Sequence, residues 1–73
     1  MTIQEIQERV DEIAEFAKKT PSRWSAVETA QEMEDNLRAD FIAHVRDNPN
    51  DPELRAKAML VLSVKDIFDR WYP

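Results

Sequence analysis

Glycine is absent from the 73-residue chain, and no other sequence feature limits the possible folds so strongly. Tight two-residue β-hairpins favour turns of the Asn-Gly or Gly-X type, so a compact sheet is disfavoured. Phosphate-binding loops, dinucleotide-binding fingerprints and nucleophile elbows also need a backbone that takes positive φ or approaches a ligand closely. We therefore expect an all-α protein without these motifs.

Apolar residues recur at intervals of three and four along the first segment, which predicts helix one over residues 3–19. Thr2 and Glu5 have the spacing of a capping box at its start. The apolar seam of this helix consists of Ile3, Ile6, Val10, Ile13 and Ala17.

Pro21 interrupts the pattern, because proline forces the residue before it away from helical angles. Ser25 and Glu28 then repeat the capping-box spacing, which predicts helix two over residues 25–47. At about 100° per residue, its apolar stripe consists of Ala26, Ala30, Met33, Leu37, Phe41 and His44.

Two prolines and three turn-forming residues occupy positions 48–52 and separate the second helix from the third. Asp51 followed by Pro52 is a typical N-cap and first-turn pair, which predicts helix three over residues 52–71. Its main apolar face consists of Leu60, Val61, Val64, Ile67, Phe68 and Trp71.

Three helices joined by short connections predict a single domain over residues 1–73, an up-down-up three-helix bundle with helix three at its centre. A chain of this size buries only ~60% of its unfolded surface, so dimerisation through helix three is an open option. A second packing fits the same pattern, in which helices one and two form a coiled-coil hairpin and helix three mediates dimerisation.

The chain contains no cysteine and only one histidine, His44. Disulfides, thiol nucleophiles, zinc ribbons and iron–sulfur clusters are therefore excluded. Asp40 lies one turn before His44 and could orient its imidazole as a general base, but the pair lacks a nucleophile and a further metal ligand. We expect a non-enzymatic protein without cofactor or metal, in which His44 packs against its neighbours.

Oxygen-bearing side chains cluster in residues 47–53, as they do in a calcium-binding loop. The sixth loop position would be Pro52 where the turn needs glycine, and the twelfth would be Ala58 where the ion needs glutamate. These residues are better interpreted as a turn followed by an N-cap.

Apolar residues at the end of the chain exceed what one bundle face needs. Met59 and Leu62 project away from the main face of helix three, and Trp71 and Tyr72 follow them. Tryptophan, tyrosine and methionine are enriched where proteins meet. We expect these four residues to dock on a protein partner or on a second copy, although a central helix that contacts two neighbours would also need a wide apolar face.

Residues 5–15 and residues 28–40 each hold five acids and one arginine. Solvated helix surfaces show such a pattern, but carboxylates can also bind a basic partner. The alternative function is therefore an acidic inhibitor, of the kind phages and mobile elements encode, that occupies a nucleic-acid-binding surface of a host protein. Its partner-binding residues would be Glu28, Glu32, Glu34 and Asp35. Direct binding to nucleic acid is not expected, because phosphates are neutralised by lysine and arginine.

The first fifteen residues carry five acids, whereas a secretory signal needs basic and then apolar residues. The longest apolar run covers residues 58–62, and a membrane-spanning helix needs roughly 20 apolar residues. We therefore expect a cytoplasmic protein without a membrane partner.

Overall fold

The computed structural model describes the backbone of residues 1–19 and 24–71, and the side chains of residues 1–18 and 28–67. It contains three helices: α1 (Ile3–Lys19), α2 (Trp24–Asp47) and α3 (Leu54–Trp71). None of the described residues lies in a β-strand. The chain is a small all-α three-helix bundle, which confirms the predicted fold class.

Contacts between the helix ends define the up-down-up arrangement. The backbone nitrogen of Met1 lies 2.9 Å from Nδ1 of His44, so α1 begins where α2 ends. Arg9 and Asp40 form an ion pair further along α1 and further back along α2, so the two helices run antiparallel. Because α3 packs against both α1 and α2 within the chain, the structure is the bundle and not the hairpin with a separate dimerising helix.

The apolar seam of α1 supplies half of the buried apolar side chains among the described residues. Of the eight buried apolar side chains among the described residues, four belong to α1, which is the shortest of the three helices. Ile3, at the edge of the predicted seam, is only half-buried. The buried apolar residues are Ile6, Val10, Ile13, Ala17, Ala30, Leu37, Val61 and Val64.

The central helix is α1, and the prediction that helix three would be central is wrong. Contacts are most extensive between α1 and α3, then between α1 and α2, and least extensive between α2 and α3. The reason is that α1 directs its apolar residues into one narrow seam that both neighbours cover. Part of the apolar surplus of α3 faces solvent instead, since Met59 and Leu62 are exposed.

The helix starts agree with the sequence to within two residues. At α1 the capping box is reciprocal: the Glu5 amide donates to Thr2 Oγ1 at 3.1 Å, and the Thr2 amide donates to Glu5 Oε1 at 3.3 Å. At α3 the Asp51 carboxylate accepts from the Glu53 amide at 2.9 Å, as an N-cap does. That helix begins at Leu54 because residues 51–53 form a turn first. The predicted Ser25 cap of α2 lies outside the described side chains.

Candidate functional site

An apolar groove runs between α2 and α3, with a volume of about 230 Å³. We call it the α2–α3 groove. It forms because these two helices contact each other least, and because each carries an apolar residue beside its core stripe. Its floor includes the half-buried ring of Phe41 and the buried side chain of Val61. The lining residues are Arg38, Phe41, Ile42, Ala58, Val61 and Leu62.

Two large apolar side chains of the groove are open to solvent. Ile42 on α2 is 66% exposed, and Leu62 on α3 is 59% exposed. Met59 is 66% exposed and lies outside the lining, where it extends the apolar surface along α3. The outward projection predicted for Met59 and Leu62 is confirmed. The side chains of Trp71 and Tyr72, predicted with them, lie outside the described residues.

Ile42 is a groove residue that was not predicted from the sequence. It follows Phe41 directly, and at about 100° per residue it therefore lies well off the centre of the core stripe. The criterion that identified Met59 and Leu62, an apolar residue off the main face, would also have identified Ile42. Arg38 was not predicted either, because its place beside the groove depends on how α2 packs against α3.

The four acidic residues predicted on α2 do not form one surface. Glu28, Glu32 and Asp35 are exposed and recur at spacings of four and three, which places them along one outer stripe. Glu34 instead has a side chain only 13% exposed, and its Oε1 lies 3.4 Å from Nη2 of Arg38. The other carboxylate oxygen of Glu34 is buried and has no hydrogen-bond partner.

A second groove lies between α1 and α2 and has a volume of about 570 Å³. Its apolar lining is Phe16 of α1 and Met33 of α2. Its rim belongs to the acidic block at residues 5–15, which is recognisable in the sequence by its charge but was not predicted as a binding site. The rim residues are Glu8, Asp11, Glu12 and Glu15. We call this the acidic groove.

The pairing considered for Asp40 and His44 does not occur in the structure. Asp40 forms an ion pair with Arg9 of α1, and His44 Nε2 lies 2.7 Å from Oδ2 of Asp51. The backbone nitrogen of Met1 can only donate to His44 Nδ1, so Nδ1 accepts and Nε2 carries the proton. In this tautomer His44 donates from Nε2 to Asp51, a contact between residues seven positions apart.

Lys57 completes this polar cluster, which we define as His44, Asp51 and Lys57. Lys57 is only 4% exposed, and its ammonium group donates to Oδ2 of Asp51. The hydrogen bond from Lys57, then those from the Glu53 amide and from His44, hold the pKa of Asp51 well below its usual value of 3.8. A buried lysine requires such a partner, because an unpaired buried charge is costly.

The polar cluster joins the end of α2 to the start of α3 and opens onto neither groove. The groove linings contain none of His44, Asp51 and Lys57. Within residues 1–18 and 28–67, no three histidine or acidic side chains are grouped so that they could hold a metal ion. This arrangement supports a role for His44 in holding the loop between the helices.

None of the helices in the described part of the chain combines the length and the hydrophobicity that a membrane crossing requires. Comparisons with protein-family models, with curated proteins and with solved structures find no match to the chain. A function for the chain is therefore inferred from its own contacts, burial and charges.

Proposed function

We propose that the chain is a small non-enzymatic binding module that docks on protein through the α2–α3 groove. The observation that carries this proposal is the exposure of Ile42 and Leu62, at 66% and 59%, on opposite walls of one apolar groove. Scattered apolar residues are ordinary on protein surfaces, but adjacent exposed ones over a groove are typical of interaction sites.

Core packing does not account for these residues. The wide apolar face of helix three would be explained if that helix were central and covered on both sides. Instead, α1 makes the most extensive contacts with the other helices, and Met59 and Leu62 remain exposed. Covering the exposed part of either Ile42 or Leu62 would contribute roughly 1–2 kcal/mol from apolar burial, before the costs of association.

The groove can be tested by affinity capture from the native host with mass-spectrometric readout. Leu62→Lys places a charge in the groove, and we expect it to abolish capture of the partner found with the unsubstituted chain. Ala56→Lys adds the same charge at an exposed position of α3 outside the groove lining, and this control should retain the partner. Equal recovery with both variants would contradict docking through the groove.

A second candidate function is supported by the acidic groove. Four carboxylates surround an apolar floor there. This negative surface is complementary to the basic surface with which a nucleic-acid-binding protein contacts phosphates. The exposed stripe of Glu28, Glu32 and Asp35 extends the negative charge on α2. This inhibitor would bind more weakly as salt is raised, whereas docking through the α2–α3 groove would not.

Charge reversal separates the two candidates. Glu12→Lys combined with Glu15→Lys should abolish binding of a basic partner and leave docking through the α2–α3 groove intact. Retained binding of a basic partner by this double variant, at both low and high salt, would eliminate the inhibitor hypothesis.

We also propose that the protein acts in the cytoplasm. The absence of cysteine suits a reducing compartment. Cell fractionation with an antibody against the chain would test the location, and recovery of the chain in a secreted fraction would contradict it.

A further inference from the structure

We infer that the acidic groove binds an amphipathic helix of a partner protein, whose basic residues lie beside the carboxylates of α1 and whose apolar residues cover the groove floor. This inference rests on the second candidate function and specifies the form of the partner. It is supported by the apolar floor, by the arrangement of the carboxylates, by their lack of internal partners, and by the position of the groove between two helices.

The floor of the acidic groove suits an apolar occupant. Phe16 and Met33 line it, and both are half-buried. A smaller cavity of about 120 Å³ shares Met33 with the groove and adds Asn36 of α2. The α2 residues that line the two cavities, Met33 and Asn36, are therefore uncharged. A hydrated ion would leave such a floor exposed to water, whereas an apolar side chain covers it.

The carboxylates of the acidic groove form one row along α1. All four are exposed, and their helical spacing places them on one face of the helix: Glu8, Asp11, Glu12 and Glu15. The row extends over about 10 Å, because each residue adds ~1.5 Å along the axis. Within the described side chains, no three acidic groups are close enough together to hold a metal ion. The row therefore requires several cationic groups spaced along one molecule.

No counter-charge in the described part of the chain neutralises this row. The ion pairs between described residues involve none of the four carboxylates, and Arg9 of the same helix pairs with Asp40 of α2. Glu8 and Asp11 accept hydrogen bonds from uncharged glutamine side chains. Like charges three or four positions apart repel each other along a helix. A cationic partner would relieve this repulsion, so the groove is electrostatically complementary to a basic helix.

The position of the groove also suits a helix. It lies between the antiparallel helices α1 and α2, and its described lining contains no residue of α3. A helix that lies along α1 repeats its side chains at the spacing of the carboxylate row, so basic residues at positions i, i+3 or i+4, and i+7 would each meet a carboxylate. The partner would become a fourth helix of the bundle, which is a common helical arrangement.

Fluorescence anisotropy of a labelled synthetic peptide, titrated with the full chain, tests this inference. The peptide is an amphipathic helix of about five turns (~18 residues), with leucines on one face and lysines along both borders of that face. We expect it to bind. A scrambled peptide of the same composition should bind at least about tenfold more weakly, because its leucines and lysines no longer lie on the same side of a helix.

Matched charge reversals locate the binding site. Glu12→Lys combined with Glu15→Lys should raise the dissociation constant of the peptide at least about tenfold, because it replaces attraction by repulsion in the groove. Glu28→Lys combined with Asp35→Lys makes the same change in net charge at exposed positions outside the groove lining. This control should leave the dissociation constant within about threefold at physiological salt, where charges more than about 8 Å apart are largely screened.

Circular dichroism confirms that the variants are folded. If the groove variant loses helicity, Glu12→Gln combined with Glu15→Gln replaces it. Leu62→Lys changes only the α2–α3 groove and should bind the peptide like the unsubstituted chain. Loss of peptide binding in Leu62→Lys alone would assign the peptide to the α2–α3 groove and overturn the inference.

Three further results would also overturn it. Absence of peptide binding, or equal binding of the ordered and scrambled peptides, contradicts the helical form of the partner. Equal weakening by the two double variants indicates general attraction between opposite charges and contradicts the site. The second candidate function survives the loss of the helical form if Glu12→Lys combined with Glu15→Lys still abolishes binding of a basic protein.

Discussion

At the scale of single residues, Asp51 joins the end of α2 to the start of α3 through three hydrogen bonds. One of its carboxylate oxygens accepts a hydrogen bond from the Glu53 amide, in the turn that leads into α3, and the other accepts from Lys57 and His44. The cap was predictable, because Asp before Pro is a local signal. The hydrogen bonds of Asp51 with His44 and Lys57 were not predictable from the sequence, because they depend on how the chain turns between α2 and α3.

Stability should fall on acidification through the ionisation of Asp51. Its pKa is lowered in the folded protein, so the unfolded chain takes up the proton first. The stabilisation is complete above about pH 5 and is lost as the pH falls through the usual value of 3.8 towards the folded pKa. Asp51→Asn should therefore have a lower free energy of unfolding than the unsubstituted chain at neutral pH. This difference in free energy should become smaller below about pH 4.

Urea unfolding followed by circular dichroism at several pH values measures this difference. Asp47→Asn is the control, because Asp47 is exposed and bonds only to the neighbouring Arg46 among the described contacts. A difference between Asp51→Asn and the unsubstituted chain that stayed constant from pH 7 to pH 3 would contradict the role of the Asp51 charge.

At the scale of helices, local signals determine where each element begins. The reciprocal bonds of Thr2 and Glu5 start α1, and the Asp51 cap starts α3. The groove residues show the limit of such signals. Met59 and Leu62 were recognisable because they fall off the main face of one helix, but Arg38 joins them only through the packing of two helices.

Removal of the α1 cap should destabilise the whole bundle, because α1 is central. Thr2→Ala leaves the Glu5 amide without its side-chain acceptor, and we expect a loss of about 0.5–2 kcal/mol in the free energy of unfolding. Thr2→Ser keeps the hydroxyl group, so its free energy of unfolding should lie within a few tenths of a kcal/mol of that of the unsubstituted chain. Chemical denaturation compares the two, and equal stability would show that this cap contributes nothing.

At the scale of the whole molecule, apolar residues fall into two classes that sequence spacing does not fully separate. Leu37 is completely buried in the core cluster, whereas Leu62 is mostly exposed beside the groove. The helical period assigned Leu37 to the stripe and Leu62 outside it. Whether the outward residue would be covered by a neighbouring helix was decided only by the central position of α1.

The same substitution at these two leucines should change the free energy of unfolding by very different amounts. Leu37→Ala leaves a cavity in the core, and we expect it to cost about 2–5 kcal/mol of unfolding free energy, a large part of the stability of so small a domain. Leu62→Ala should change the free energy of unfolding by less than about 0.5 kcal/mol, because this side chain is mostly exposed. Thermal unfolding provides the comparison, and equal losses would contradict the assigned burial.

The amino-acid sequence alone determined three helices, their bounds to within two residues, and the buried seam of α1. These features arise from contacts between residues three or four positions apart, so they are visible as a period and as capping pairs. Only the tertiary structure decided that α1 makes the most extensive helix contacts, that the side chain of Glu34 is largely buried, and that His44 pairs with Asp51 instead of Asp40. Each of these depends on the position of one helix or loop relative to another, which is set by side-chain packing over the whole core.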